Sequence, residues 1–198
     1  MSYPIPAGEL EITLDVKKSR FIARAAYAPS REKALAVVAD MQRRYPDAGH
    51  HCYGFLVGHP QSASSGAAND DGEPSGTAGK PILNVIQHKG IGDVIVVVSR
   101  YFGGVKLGAG GLVRAYSQAA EQVLSALKIS AHIAQSQILV ALDFSQEQSL
   151  RHWLASHDGV VSGVTYGEQV RLQVILPSAQ LECLQAWCEQ FHATWELD

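Results

Sequence analysis

The 198-residue sequence predicts an α+β protein of two domains. Three observations predict it. Alternating strand patterns and helical repeats run together as far as about residue 130, a compact βαββαβ order fills the remaining third, and the charge balance changes sign at the junction. Up to Ser130, fourteen Lys and Arg face eleven Asp and Glu, whereas from Ala131 on two face eight. A sign change of this kind marks two units with different partners, and the domains are placed at 1–132 and 133–198.

In the first unit, Leu10, Ile12, Leu14 and Val16 alternate with Glu11, Thr13 and Asp15, the period of a half-buried strand. Arg20 to Tyr27 reads as its hairpin partner across Lys17-Lys18-Ser19. Ser30 is a plausible N-cap for a helix carrying Ala34, Leu35, Val37, Val38, Met41 and Gln42, which Pro46 stops just beyond Tyr45. His51 to Val57 is a third strand. Thr77 or Gly76 can begin a short helix through Ile82, Val85 and Ile86. Asp93 to Ser99 is a β-branched run that reads as a strand covered on both faces, and a long helix spans about Ala109 to Leu127.

The second unit reads as strand Gln137–Leu142, helix Ser145–His157, strands Val160–Tyr166 and Gln169–Leu176 about Gly167-Glu168, helix Ser178–Phe191 and strand Ala193–Leu197. This is the split-βαβ pattern of a ferredoxin-like sandwich. No ligand constellation stands out in it, so docking or dimerisation is its expected use.

With 46% hydrophobic and 18% charged residues, the chain has material for a sizeable core. No apolar run approaches the ~20 residues that span a bilayer, and Met1-Ser2-Tyr3-Pro4-Ile5-Pro6 lacks the layout of a secretory signal. The expected location is cytoplasmic, with no membrane partner. The three cysteines, Cys52, Cys183 and Cys188, have no zinc or disulfide spacing and are expected to be buried thiols.

Most of the information lies between Asn69 and Tyr116. The block Asp70-Asp71-Gly72-Glu73-Pro74-Ser75-Gly76-Thr77-Ala78-Gly79-Lys80-Pro81 and the run Val98 to Tyr116, which contains Arg100-Tyr101-Phe102-Gly103-Gly104-Val105-Lys106-Leu107-Gly108-Ala109-Gly110-Gly111-Leu112-Val113-Arg114, concentrate glycine with charges of both signs. Clustered glycines lose much entropy on folding, so they call for a structural or ligand-based reason. Together with His51-Cys52-Tyr53, these segments resemble the IMPACT family, and the two-unit layout resembles its bacterial members of the YigZ type. The resemblance implies an N-terminal ribosomal-protein-S5-domain-2-like sandwich, with helices on one face of a mostly antiparallel sheet, and a C-terminal ferredoxin-like domain. It also implies an association with translation.

Several chemistries compete for these residues. Asp70, Asp71 and Glu73 offer carboxylate oxygen for Mg²⁺, but the spacing is not an EF-hand loop and an acidic turn capping the following helix accounts for them. No metal and no cofactor are expected. Gly76-Thr77-Ala78-Gly79-Lys80 resembles a phosphate loop, yet Pro81 stands where a Walker motif needs Ser or Thr. Gly108-Ala109-Gly110-Gly111 lacks the dinucleotide spacing. Either helix start could hold an anion, and the candidate ligand loop comprises Asp70, Asp71, Gly72, Glu73, Ser75, Gly76, Thr77, Gly79 and Lys80. His50, His51 and Cys52 alternate in direction on a strand, so at most two share a site, and Ser75 has neither a nucleophile elbow nor a base.

The basic set is the stronger signal. Between Ser75 and Tyr116, Lys80, Lys89, Arg100, Lys106 and Arg114 oppose only Asp93. Cations among planar rings suit a phosphate backbone and unstacked bases, so Arg100, Tyr101, Lys106 and Arg114 are the expected nucleic-acid contacts. Three functions follow: a non-catalytic translation-associated regulator that binds the ribosome, RNA or a ribosome-bound factor, with the acidic second domain on a protein; an enzyme acting on a phosphorylated or nucleotide-like ligand in the Asp70–Lys80 loop; or a protein-interaction adaptor. Catalytic residues are not identifiable.

Overall fold

The structure is a computed structural model that describes residues 2–197. The chain divides into one compact unit of Tyr3–His132 and a second that takes in the chain from Ile133 onward. Among the described residues no helix is long and apolar enough to cross a membrane.

In the first unit, β2 (Leu10–Val16), β3 (Ser19–Tyr27), β4 (His50–Val57), β5 (Ser65–Asn69) and β6 (Val94–Tyr101) form an antiparallel sheet in the order β2-β3-β6-β4-β5. The β-branched run occupies the middle because both of its faces are covered. Val94, Val96 and Val98 pack with α2 (Gly79–Lys89) and α3 (Ala109–Ala126), whereas Ile95 and Val97 pack with α1 (Arg31–Arg44). Each buried side chain of this size contributes about 1.5–3 kcal/mol. The expectation of helices on one face is therefore corrected: α1 lies on the opposite face from α2 and α3.

The α1 helix is capped by Ser30, whose hydroxyl accepts from the Lys33 N–H at 3.3 Å, and it buries Ala34, Val38 and Met41 while leaving Leu35 outside. Three short strands were not legible in the sequence. Ser65–Asn69 is built of small and polar residues that carry little strand signal. β1 (Tyr3–Pro6) contains two prolines and pairs with β7 (Ile129–His132) as a separate two-stranded ribbon, where the missing N–H groups are tolerated. The short helix starts at Gly79, later than expected, because Thr77 closes a turn on the Pro74 carbonyl. A Cβ on Gly79 would meet the Asn69 backbone at 2.5 Å, so glycine lets the helix start against β5.

The second unit has β8 (Gln135–Leu142), α4 (Glu147–Ser156), β9 (Val160–Tyr166), β10 (Val170–Pro177), α5 (Leu181–Phe191) and β11 (Thr194–Leu197), with the sheet order β11-β8-β10-β9. That is the ferredoxin-like topology. Ile138, Val140, Leu142, Val170, Leu172 and Val174 close its core against Leu150, Leu154, Leu184 and Trp187 of the helices. Each expected helix here begins with a single 3-10 turn. Cys188 is buried as expected, but Cys183 is exposed on the outer side of α5.

Candidate functional site

Three strands bring Phe21, Arg100 and His50 into one row. β6 lies between β3 and β4, and Arg100 stands directly opposite Phe21 on one side and His50 on the other. Cross-strand partners share a face, here the face covered by α2 and α3.

Arg100 stays beneath the surface. Its side chain is 7% exposed, and Nη1 donates to Oε1 of Glu73 at 2.6 Å; the Glu73 side chain is itself 4% exposed. The same oxygen accepts from the Tyr116 hydroxyl at 2.8 Å. The guanidinium carbon sits 5.6 Å from the ring centres of both Phe21 and Phe102, within cation–π range. Its Nε is buried and has no hydrogen-bond partner among the described residues. Arg100 is thus corrected from a surface contact to a buried, paired one.

The network continues inward. Cys52 Sγ lies 3.3 Å from the Tyr116 hydroxyl and 3.0 Å from the Asp70 carbonyl. Burial pushes the Cys52 thiol up to about 12, with the nearby carboxylates adding to the effect, so it is no thiolate nucleophile at neutral pH. Burial likewise raises Tyr116, helped by Cys52 and Glu73. Both groups keep their protons, and Glu73 is the acceptor. His50 Nδ1 lies 2.7 Å from the Asp71 carbonyl, which can only accept, so Nδ1 carries a proton and Nε2 faces Glu73 Oε1 at 4.0 Å. His51 points to the other face and bonds Ser99.

The two glycine-rich helix starts differ. At α2, the Asp70 carboxylate receives the N–H groups of Gly76, Ala78 and Gly79 at 2.7, 3.0 and 2.8 Å. Asp71 accepts from the His51 N–H, and Thr77 is turned back on Pro74. Gly72 takes φ +84 in the turn, while Ser75 and Lys80 are exposed. The donors that would cradle a phosphate in this loop already serve the protein's own carboxylate, and Glu73 serves Arg100. The capping reading of the acidic block accounts for the geometry.

At α3 the start is open. Its N-cap is Gly108, at φ +71, with no side chain to accept from the first amides. Beside it lies a cavity of about 300 Å³ lined by His50, Glu73, Arg100, Phe102, Lys106 and Leu112, among others. Phe102 is 58% exposed, and Lys106 is exposed at the mouth.

Of the expected nucleic-acid contacts, Lys106 reaches this site, and Arg114 is exposed a turn along α3. Tyr101 does not join them, because its position in the strand turns it toward the α1 face. Lys17 and Lys18 escaped the sequence reading. Their turn packs on the loop after β6, where Ser19 Oγ accepts from the Gly103 N–H, 84 residues away. No pattern in either segment alone could place them together. Arg100 did leave a signal: it shares strand parity with the buried Val96 and Val98, and a buried Arg requires a partner.

The Impact N-terminal domain matches residues 17–124, and a domain of unknown function (DUF1949) matches residues 140–187. The chain is 36% identical over 180 residues to the IMPACT family member YigZ of Escherichia coli, covering 91% of this chain and 88% of that one. It is 49% identical over 109 residues to an IMPACT family member of Thermus thermophilus, covering 55% of this chain and 56% of the relative. A crystal structure described as that of a hypothetical protein superposes with a TM-score of 0.75 at 34% identity, covering 99% of this chain and 96% of that one. By the match of both halves, the chain belongs to the IMPACT family.

Proposed function

We propose that this protein is a non-catalytic, translation-associated factor that binds RNA, in the ribosome or free, at the end of its five-stranded sheet. One observation carries the reading: Lys106 and the exposed ring of Phe102 stand at an uncapped helix start, and the Lys17–Lys18 turn packs on Gly103, the residue after that ring. Cations beside an exposed aromatic ring suit a phosphate backbone and a stacked base. The helix start adds a favourable field for negative charge. The acidic second domain is then available to a protein partner. An enzyme centred on the Asp70–Lys80 loop has less support, since the N–H donors of that loop are already spoken for by Asp70.

The test is ribosome co-sedimentation and filter binding of structured RNA across a salt series. Replacing Lys17, Lys18 and Lys106 by Gln removes about three phosphate contacts, so the slope of log affinity against log salt should flatten by about 2–3 units. Wild-type protein without salt-sensitive affinity would end this reading, and salt-insensitive ribosome association would favour a protein-interaction adaptor.

A further inference from the structure

We infer that the open face of the second unit's four-stranded sheet is a self-association surface, and that its partner is a second copy of this chain. The sequence of β8 carries the first argument. Ile138-Leu139-Val140-Ala141-Leu142 is an unbroken apolar run, the pattern of a strand covered on both faces. The run Val94 to Val98 in β6 has that pattern and has helices on both of its faces. In β8 only one face is covered. Ile138, Val140 and Leu142 are buried against α4 and α5, whereas Leu139 and Ala141 point the other way and stay half-buried. Ile175 and Val160, opposite one another on β10 and β9, extend the apolar strip, and Val160 is 58% exposed. Two hollows of about 300 and 190 Å³, each lined by both Leu139 and Glu196, give the face relief into which side chains can pack.

Charge selects the occupant. Among the described residues the four strands carry one cation, Arg171, and one anion, Glu196. Both are exposed on this face, because Arg171 stands opposite Ala141 on one side of β8 and Glu196 opposite Leu139 on the other, and cross-strand partners share a face. Ordinary strand dimensions put their backbones about 12 Å apart, and among the described residues neither is in an ion pair. A polyanion such as RNA would gain one cation here and meet a carboxylate beside it. A second copy gains both charges. Laid face to face about a two-fold axis that lies in the interface and crosses β8 between Leu139 and Ala141, the two copies set each Arg171 against the partner's Glu196, with Leu139 at the centre. The face measures about 20 by 23 Å, small for a specific interface, so the dimer is weak and depends on concentration. This inference stands apart from the RNA reading, which concerns the first unit.

The experiment is sedimentation velocity of the full chain from low to high micromolar concentration, where wild type should show a monomer–dimer equilibrium. Leu139→Gln puts a polar side chain on the solvent side of the sheet and should weaken the dimer at least tenfold while the melting temperature of the dilute monomer holds. Arg171→Glu and Glu196→Arg should each abolish self-association, because each sets like charges together across the two-fold. An equimolar mixture of those two variants should dimerise, and the chain that carries both reversals should dimerise as wild type does. Wild type that stays monomeric throughout, or single variants that fail to pair on mixing, would overturn the inference. So would a Leu139→Gln chain that dimerises as tightly as wild type. Loss of RNA or ribosome binding in Leu139→Gln, with no self-association of wild type, would overturn it and assign the face to RNA.

Discussion

Glu73 and Arg100, 27 residues apart in the chain, meet as a buried ion pair at 2.6 Å beneath the start of α3. A buried pair of this kind adds little net stability over an apolar pair, but breaking it strands a charge. Glu73→Ala should therefore cost about 3–5 kcal/mol in urea unfolding, whereas Glu73→Met combined with Arg100→Met should recover most of that loss. A double variant as unstable as the single one would show that the two side chains are not coupled.

Much of the fold was legible because burial writes itself into period. Val94 to Val98 announced a central strand, and Leu10 to Val16 a half-buried one. The site was legible in composition and not in arrangement. Arg100, Lys106 and Arg114 read alike along the chain, yet strand parity sends Arg100 inward with Val98, while the other two stand on a loop and on a helix surface. Lys17 and Lys18 come beside the Gly103 loop only through the fold, and Tyr3–Pro6, with two prolines in four residues, gives no strand signal at all.

Asp70 ties pH to stability. Burial opposes its ionisation, but the N–H donors of Gly76, Gly79 and Ala78 outweigh that effect and hold its carboxyl below the usual carboxylate range. A group whose folded-state value is depressed stabilises fully above its unfolded value, near 3.9, and loses that contribution as pH falls through the lower folded value. Asp70→Asn should cost about 1 kcal/mol at pH 7, in line with lost helix caps. The gap from wild type should narrow below about pH 4. A gap that persists unchanged at pH 2.5 would mean the charge is not what matters.

Gly103 and Gly104 are adjacent and should respond differently. A Cβ on Gly103 would fall 1.9 Å from the Lys18 carbonyl oxygen, a backbone atom that cannot yield without moving the β2–β3 turn. Gly104 has open space around it but a φ of +83, where an L side chain costs about 1–2 kcal/mol. Gly103→Ala should thus lose more stability than Gly104→Ala in parallel urea titrations, and should weaken RNA binding by displacing Lys17 and Lys18. Equal losses would indicate that the turn does not pack on this loop.

The β1–β7 ribbon bears on whether residues 1–132 fold alone. Tyr3 to Pro6 pair with His132 to Ile129 in register, the Ala7 N–H donates to the Lys128 carbonyl, and the Tyr3 hydroxyl donates to Asp93 at 2.7 Å. Both ends of the first unit are therefore tied into that unit and not into the next. A fragment of residues 1–132 should unfold cooperatively, and one that begins at Ala7 should be less stable, because it takes the Tyr3 hydroxyl from Asp93 Oδ2, leaving that carboxylate only the Gly58 N–H, and strands one strand of the ribbon. Limited proteolysis of the full chain should cut at Ile133–Ala134, between β7 and β8, and spare Ile129–His132. An unfolded 1–132 fragment, or cleavage within Ile129–His132 in preference to Ile133–Ala134, would show that the ribbon does not close the first unit.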